Sequence, residues 1–228
     1  MDEWKVGVIA RIRGHLTEKF GIPRQSGLVE GLAAEIIFEP PYRGPEAFRG
    51  MEGFSHLWLL WGFSQTADQG WSPTVRPPRL GGNQRMGVFA TRSPFRPNPI
   101  GLSCVRLERV ELHTPQGPVL WVRGADLLDG TPIYDVKPYV PLADCRPEAA
   151  GGFSDQHRED RLVVDFPPDL LSQVPEEHRA ALLGVLSQDP RPSYQQDPQR
   201  VYGMAFAGLQ IKFTVEGESL HVRQVLPP

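Results

Sequence analysis

Residues 76–103 (RPPRLGGNQRMGVFATRSPFRPNPIGLS) concentrate the side-chain types that hold small charged ligands. Six prolines fall between Pro73 and Pro99, interleaved with arginine and glycine. Proline fixes φ and removes a backbone donor, so residues 93–99 are stiff. A preformed cradle loses little freedom when a small ligand binds. Gly101 lacks a Cβ and is expected to let that ligand approach the backbone closely. The plainer reading is a rigid crossover with solvated arginines.

A second segment, residues 126–132 (DLLDGTP), sets Asp126 and Asp129 three apart at a strand end, followed by a Gly-Thr-Pro turn. Paired carboxylates suit proton transfer or the holding of hydroxyls. Aspartates also cap turns with their own side chains, and Asp129 fits that use. Asp135 and Lys137 share one face of a strand, as a working pair or as a surface ion pair worth little. His56, Trp58 and Trp61 lie in an apolar run and read as core residues. No G-x-G-x-x-G, Walker loop, H-E-x-x-H, C-x-x-C or G-x-S-x-G motif occurs, so the common nucleotide, zinc and serine-hydrolase chemistries have no support.

Charge is unevenly placed along the 228 residues, whose formal net charge is −3. Residues 69–107 hold six arginines (Arg76, Arg79, Arg85, Arg92, Arg96, Arg106) and no carboxylate. Residues 144–189 hold ten carboxylates against four arginines. A polarised molecule with one basic surface follows. Arginine makes up 20 of the 24 basic residues, which suits bidentate contact with phosphate or carboxylate; a genome-wide codon bias is the plainer reading of that ratio. Two cysteines are too few for a disulfide framework, and no apolar run nears the roughly 18–20 residues needed to span a membrane. The N-terminus lacks a signal-peptide pattern, so a cytoplasmic protein is expected.

These segments need a scaffold, and the 24 prolines and 23 glycines argue for short strands and many turns. Hydrophobic patterning predicts strands at 4–12, 28–38, 54–63, 86–91, 102–112, 119–122 and 133–136. The run at 54–63 is nearly all apolar and reads as a strand buried on both faces. A phase slip near Glu108-Arg109 predicts a β-bulge. The expected fold is mainly β: a barrel of about seven strands over residues 1–145, a linker at 146–160, and a small α+β domain over 161–228. In that last domain a helix is predicted at 175–187, opened by Pro175 and two glutamates. Strands are predicted at 161–166, 201–207, 209–215 and 220–225.

Four blocks resemble the TsaA-like, or TrmO, family of tRNA methyltransferases: residues 18–25 (EKFGIPRQ), 53–58 (GFSHLW), 76–103 and 126–139. Residues 189–194 (DPRPSY) with Tyr202-Gly203 are similar to the C-terminal domain of bacterial members. The resemblance implies a homodimeric β-barrel that binds S-adenosylmethionine and methylates N6 of N6-threonylcarbamoyladenosine at position 37 of threonine tRNA. It implies cofactor contacts from Pro23, Arg24, Gln25, Ser64, Gln65, Arg92, Leu102, Asp126, Asp129, Gly130 and Thr131. Ser64 stands where members tend to have histidine.

An arginine fork suits the cofactor's carboxylate, and an aspartate suits its ribose hydroxyls or sulfonium. The acceptor nitrogen is urea-like and weakly nucleophilic, so in-line positioning should carry most of the acceleration. A carboxylate taking the proton would add to it, with Asp126 the first choice and Asp135 the second. Arg76, Arg79, Arg85, Arg96 and Lys137 would grip the anticodon stem-loop through phosphates. No metal is expected. Two other classes of answer remain: a non-enzymatic RNA-binding barrel, which should ignore S-adenosylmethionine, and a hydrolase using Asp126, Asp129 and His56.

Overall fold

The structure, a computed structural model, describes residues 5–77, 80, 84–157, 160–192 and 197–227. The first lobe is built from β1 (Ala10–Gly14), β2 (Ala33–Phe38), β3 (His56–Gly62), β4 (Thr74–Val75), β5 (Met86–Gly87), β6 (Ile100–Glu111), β7 (Val119–Arg123) and β8 (Pro132–Pro138). Six of these close into a barrel in the order β1-β2-β7-β6-β3-β8, antiparallel throughout, with β1 meeting both β2 and β8. Alternate residues point inward, among them Ile12, Ile36, Leu57, Leu59, Val105, Leu120, Val122 and Ile133, all buried. Closure leaves no unpaired sheet edge.

The barrel has six strands rather than about seven. Residues 86–91 give only the two-residue strand β5, which pairs with β4 in a separate ribbon, followed by a 3-10 turn at Val88–Ala90. Its single buried residue, Val88, is too little apolar surface to bring it into the barrel. β3 is also one-sided: Leu57 and Leu59 are buried, while His56, Trp58 and Leu60 on the outer face are only half-buried; past a register shift after Leu60, Trp61 packs against the barrel core. His56 and Trp58, which make the run look doubly buried, lie on the barrel's exterior. The first strand begins at Ala10, later than its apolar pattern suggests, and Trp4 lies outside the described residues. The predicted bulge is present, as a register shift between Leu107 and Arg109 against β7.

The second lobe follows a short helix, α1 (Pro141–Asp144). It contains β9 (Val163–Asp165), α2 (Pro168–Leu171), α3 (Glu176–Ser187), β10 (Tyr202–Phe206), β11 (Leu209–Glu216) and β12 (Ser219–Leu226). The sheet order is β10-β11-β12-β9, with β9 parallel to β12. Ala181, Leu182, Val185 and Leu186 of α3 pack on Met204, Phe206, Ile211 and Phe213 of the sheet.

This second core extends into the first lobe. Leu16, Val29 and Leu32, from the irregular stretch between β1 and β2, are buried within it, with Phe20, Ile22 and Leu28 packed against it. Gly31 sits so close to α3 that a Cβ would lie 3.1 Å from the Ala181 nitrogen. Ala205 N donates to Glu18 Oε1 at 2.6 Å. The His15 and His178 rings meet at 4.4 Å, and burial with the neighbouring His178 holds the His15 pKa below its usual value.

Candidate active site

A cleft of about 490 Å³ opens where the stretch between β1 and β2, the end of β3, the proline-rich segment, the start of β6 and the segment after β7 converge. Pro23, Arg24, Gln25, Ser64, Gln65, Arg92, Leu102, Asp126 and Thr131 all line it. These residues are scattered over more than a hundred positions of sequence, and barrel closure brings them together. Trp61 and Phe63 add an aromatic wall, their rings 4.4 Å apart.

The stretch carrying Pro23–Gln25 is sewn to the barrel. Ser26 Oγ accepts from Cys104 N at 3.0 Å, and Gly27 N donates to Gly124 O at 2.9 Å. Gln25 Oε1 accepts from Arg92 Nη1 at 2.5 Å. On the other side Ile22 packs into the C-terminal core. The second lobe therefore buttresses one wall of the cleft.

Asp126 is the best-organised ionisable group in the cleft. Trp61 Nε1 donates to Ser103 Oγ at 2.9 Å, and Ser103 Oγ donates to Asp126 Oδ1 at 2.6 Å. Ser103 is 0% exposed, so this chain is shielded from water. Burial pushes the Asp126 carboxyl above the usual carboxylate range, opposed by the Ser103 hydrogen bond, by backbone donors and by the Arg92 charge. A carboxylate held in this way is a stronger proton acceptor than one in water.

Asp129 and Gly130 are not among the residues lining the cleft. Asp129 Oδ1 accepts from Gly14 N at 3.0 Å, and Gly130 N donates to Ile12 O at 2.8 Å, so the pair fastens the turn to β1. Asp135 is likewise away from the cleft lining; its carboxylate pairs with Lys137 Nζ at 2.8 Å and accepts from Val136 N. As β8 alternates, both side chains stand on the same outer face, where the ion pair occupies Asp135 and Lys137 together. Gly101 lines the cleft, and the space its missing Cβ leaves is filled by the Trp61 indole. Its role is to seat the wall of the cleft. His56 lies on the outer face of β3, its Nδ1 3.0 Å from Ser55 Oγ and its ring facing Tyr139. The three residues of a hydrolase reading are thus not assembled.

Beside the cleft runs a second, wider groove of about 1250 Å³ that shares Arg24, Gln25, Thr91, Arg92 and Pro94 with it. Arg76 and Arg85 line this groove, and no carboxylate does among the described residues. Arg85 Nη1 donates to Thr74 Oγ1 at 3.1 Å. Arg96 lines the smaller cleft and donates to Thr91 O at 3.0 Å, while Arg79 lies outside the described residues. Among the described residues no cluster of histidine, cysteine and carboxylate is arranged to hold a metal ion.

The model for the tRNA-methyltransferase O N-terminal domain matches residues 11–145, and the model for the TrmO C-terminal domain matches residues 159–228. The chain belongs to the TrmO family. It is 41% identical, over the full length of both chains, to the tRNA (adenine(37)-N6)-methyltransferase of Escherichia coli. A protein of the same description from Eikenella corrodens is 50% identical, with 72% of this chain and 92% of that one covered. Crystal structures of TrmO superpose at TM-scores of 0.80 and, for the Pseudomonas aeruginosa protein, 0.77, with 34% and 33% identity and at least 98% of each chain covered. A TrmO-family chain thus has its barrel strands, its arginine-rich groove and its buried aspartate in one neighbourhood.

Three features of this TrmO-family site escape sequence reasoning. Ser103 is a polar residue in an inward register, between buried Gly101 and Val105, and that alternation is the available signal. Trp61 reads as core from the sequence because its run is apolar. Ser26 gives no signal, since its partner Cys104 is 78 residues away.

Proposed function

We propose that this chain transfers the methyl group of S-adenosylmethionine to N6 of N6-threonylcarbamoyladenosine at position 37 of threonine tRNA, in the cytoplasm. The observation that carries this reading is the Trp61–Ser103–Asp126 chain set in the smaller cleft beside the arginine-lined groove.

The donor set of the cleft fits the cofactor. Arg24 and Arg92 supply guanidinium groups for its carboxylate, Trp61 and Phe63 supply apolar faces for its adenine, and Asp126 supplies an acceptor. When bound, S-adenosylmethionine supplies an electrophilic methyl group on a sulfonium. Asp126 would take the N6 proton as the methyl carbon passes from sulfur to N6, the carbon–sulfur bond breaking to leave the cofactor as its neutral thioether. Ser103 fixes one carboxylate oxygen, so the carboxylate does not reorganise during the transfer. Arg92 sits at the boundary of the two cavities and holds Gln25 in the shared wall. Arg76 and Arg85 hold the RNA through its phosphates. As in the family resemblance, the working unit is a dimer; Val140 and the 93%-exposed Leu142 give it apolar surface near Trp58 and Tyr139.

The test is methyl transfer from labelled S-adenosylmethionine to threonine tRNA with and without the threonylcarbamoyl group. Incorporation only into the modified tRNA is expected. Equal incorporation into both would remove the threonylcarbamoyl requirement, and none into either would remove this acceptor.

A further inference from the structure

Phe89 is 76% exposed, the most exposed Phe, Trp or Tyr among the described residues. A single apolar side chain in water is ordinary on a protein surface. What sets Phe89 apart is how it is held and where it stands. The residue before it, Val88, is 1% exposed. Val88 N donates to Pro73 O at 3.0 Å, Thr91 N to Val88 O at 3.1 Å, and Thr91 Oγ1 to the same carbonyl at 2.9 Å. The turn is therefore pinned on both sides of a ring that itself contributes little to the core. That ring lines the wide groove with Arg76, Arg85 and Arg92, where no carboxylate among the described residues opposes a phosphate chain. Two and three residues further on, Thr91 and Arg92 line both the groove and the smaller cleft.

A solvent-facing aromatic ring on a pinned turn beside a basic track is the chemistry that holds unpaired nucleotides, because every base has a face to stack. A duplex hides those faces, so the occupant is single-stranded. We infer that Phe89 is a stacking platform for an unpaired base next to the methylated adenosine, keeping that adenosine out of its own stack while its N6 reaches the cleft. This rests on the function proposed above and adds a recognition residue to it.

The test uses the full chain and an anticodon stem-loop RNA carrying 2-aminopurine beside position 37, with fluorescence reporting stacking and anisotropy reporting affinity. Phe89→Ala and Phe89→Leu are expected to weaken binding by roughly 5- to 150-fold and to leave the probe bright in the complex. Phe89→Trp should keep both the affinity and the quenching. Full affinity in Phe89→Leu would mean that mere apolar contact suffices and would overturn the stacking role. RNA binding unchanged in all three variants, or a shift only in the monomer–dimer equilibrium, would assign Phe89 to a second copy of the chain instead. Failure of the wild-type protein to bind the RNA at all would bring down the proposed function as well, which distinguishes the two failures.

Discussion

The smaller cleft and the wider groove lie side by side, share Arg92, and are organised by opposite means. In the cleft, polarity is buried: a fully enclosed serine orients an aspartate whose carboxyl is lifted above its usual range. In the groove, polarity is spread over guanidinium groups and one exposed ring. Buried groups act at short range and tolerate little displacement, as a bond-forming step requires. Exposed arginines act at longer range, are screened by salt, and accept variable partners. The difference fits the proposed division, with chemistry in the first cavity and capture of a long anion in the second.

Three changes test that division. The largest effect should come from Asp126→Asn, which is expected to lower kcat by about 100-fold or more while leaving RNA affinity nearly intact. The wild-type rate should fall with acid at a higher pH than an ordinary carboxylate would give, and the variant should lose that limb. An unchanged single-turnover rate would move the proton transfer elsewhere. Next, Arg76→Ala with Arg85→Ala should weaken RNA binding and make the log–log salt slope shallower by about 2, since each arginine neutralises one phosphate. If kcat at saturating RNA fell instead, the groove would be part of the chemistry.

The smallest effect is on stability. The folded-state pKa of Asp126 lies above its unfolded value, so the folded chain binds the extra proton and loses stability as pH rises through that window. Above the window the ionised carboxylate is a burden that Asp126→Asn relieves. The variant should melt higher at neutral pH, by about 2–4 °C for each kcal/mol relieved, with the gain vanishing below the ordinary aspartate pKa. A lower melting temperature at neutral pH would mean that the Ser103 bond depends on the charge.

Much of this is legible from residue order. The stiff arginine-proline segment, the bulge beside Glu108, the α3 helix with its opening glutamates, and the last two strands all come from local pattern, and local pattern is what a sequence displays. The errors have a common cause. Trp58 and His56 read inward because an unbroken apolar run gives no phase. Asp129 groups with Asp126 because the two are close in sequence, although their side chains serve β1 and the cleft respectively.

The sequence by itself determined that this chain would be mainly β, polarised in charge, and equipped with a rigid arginine-bearing segment near a pair of aspartates. Tertiary structure decided which aspartate enters the cleft, that Ser103 and Trp61 stand behind it, and that the C-terminal core reaches across to brace the stretch holding Pro23–Gln25. The physical reason is range. Propensity, stiffness and charge density are carried by neighbours in sequence, whereas a buried hydrogen bond and a shared core are made by residues that only barrel closure brings together.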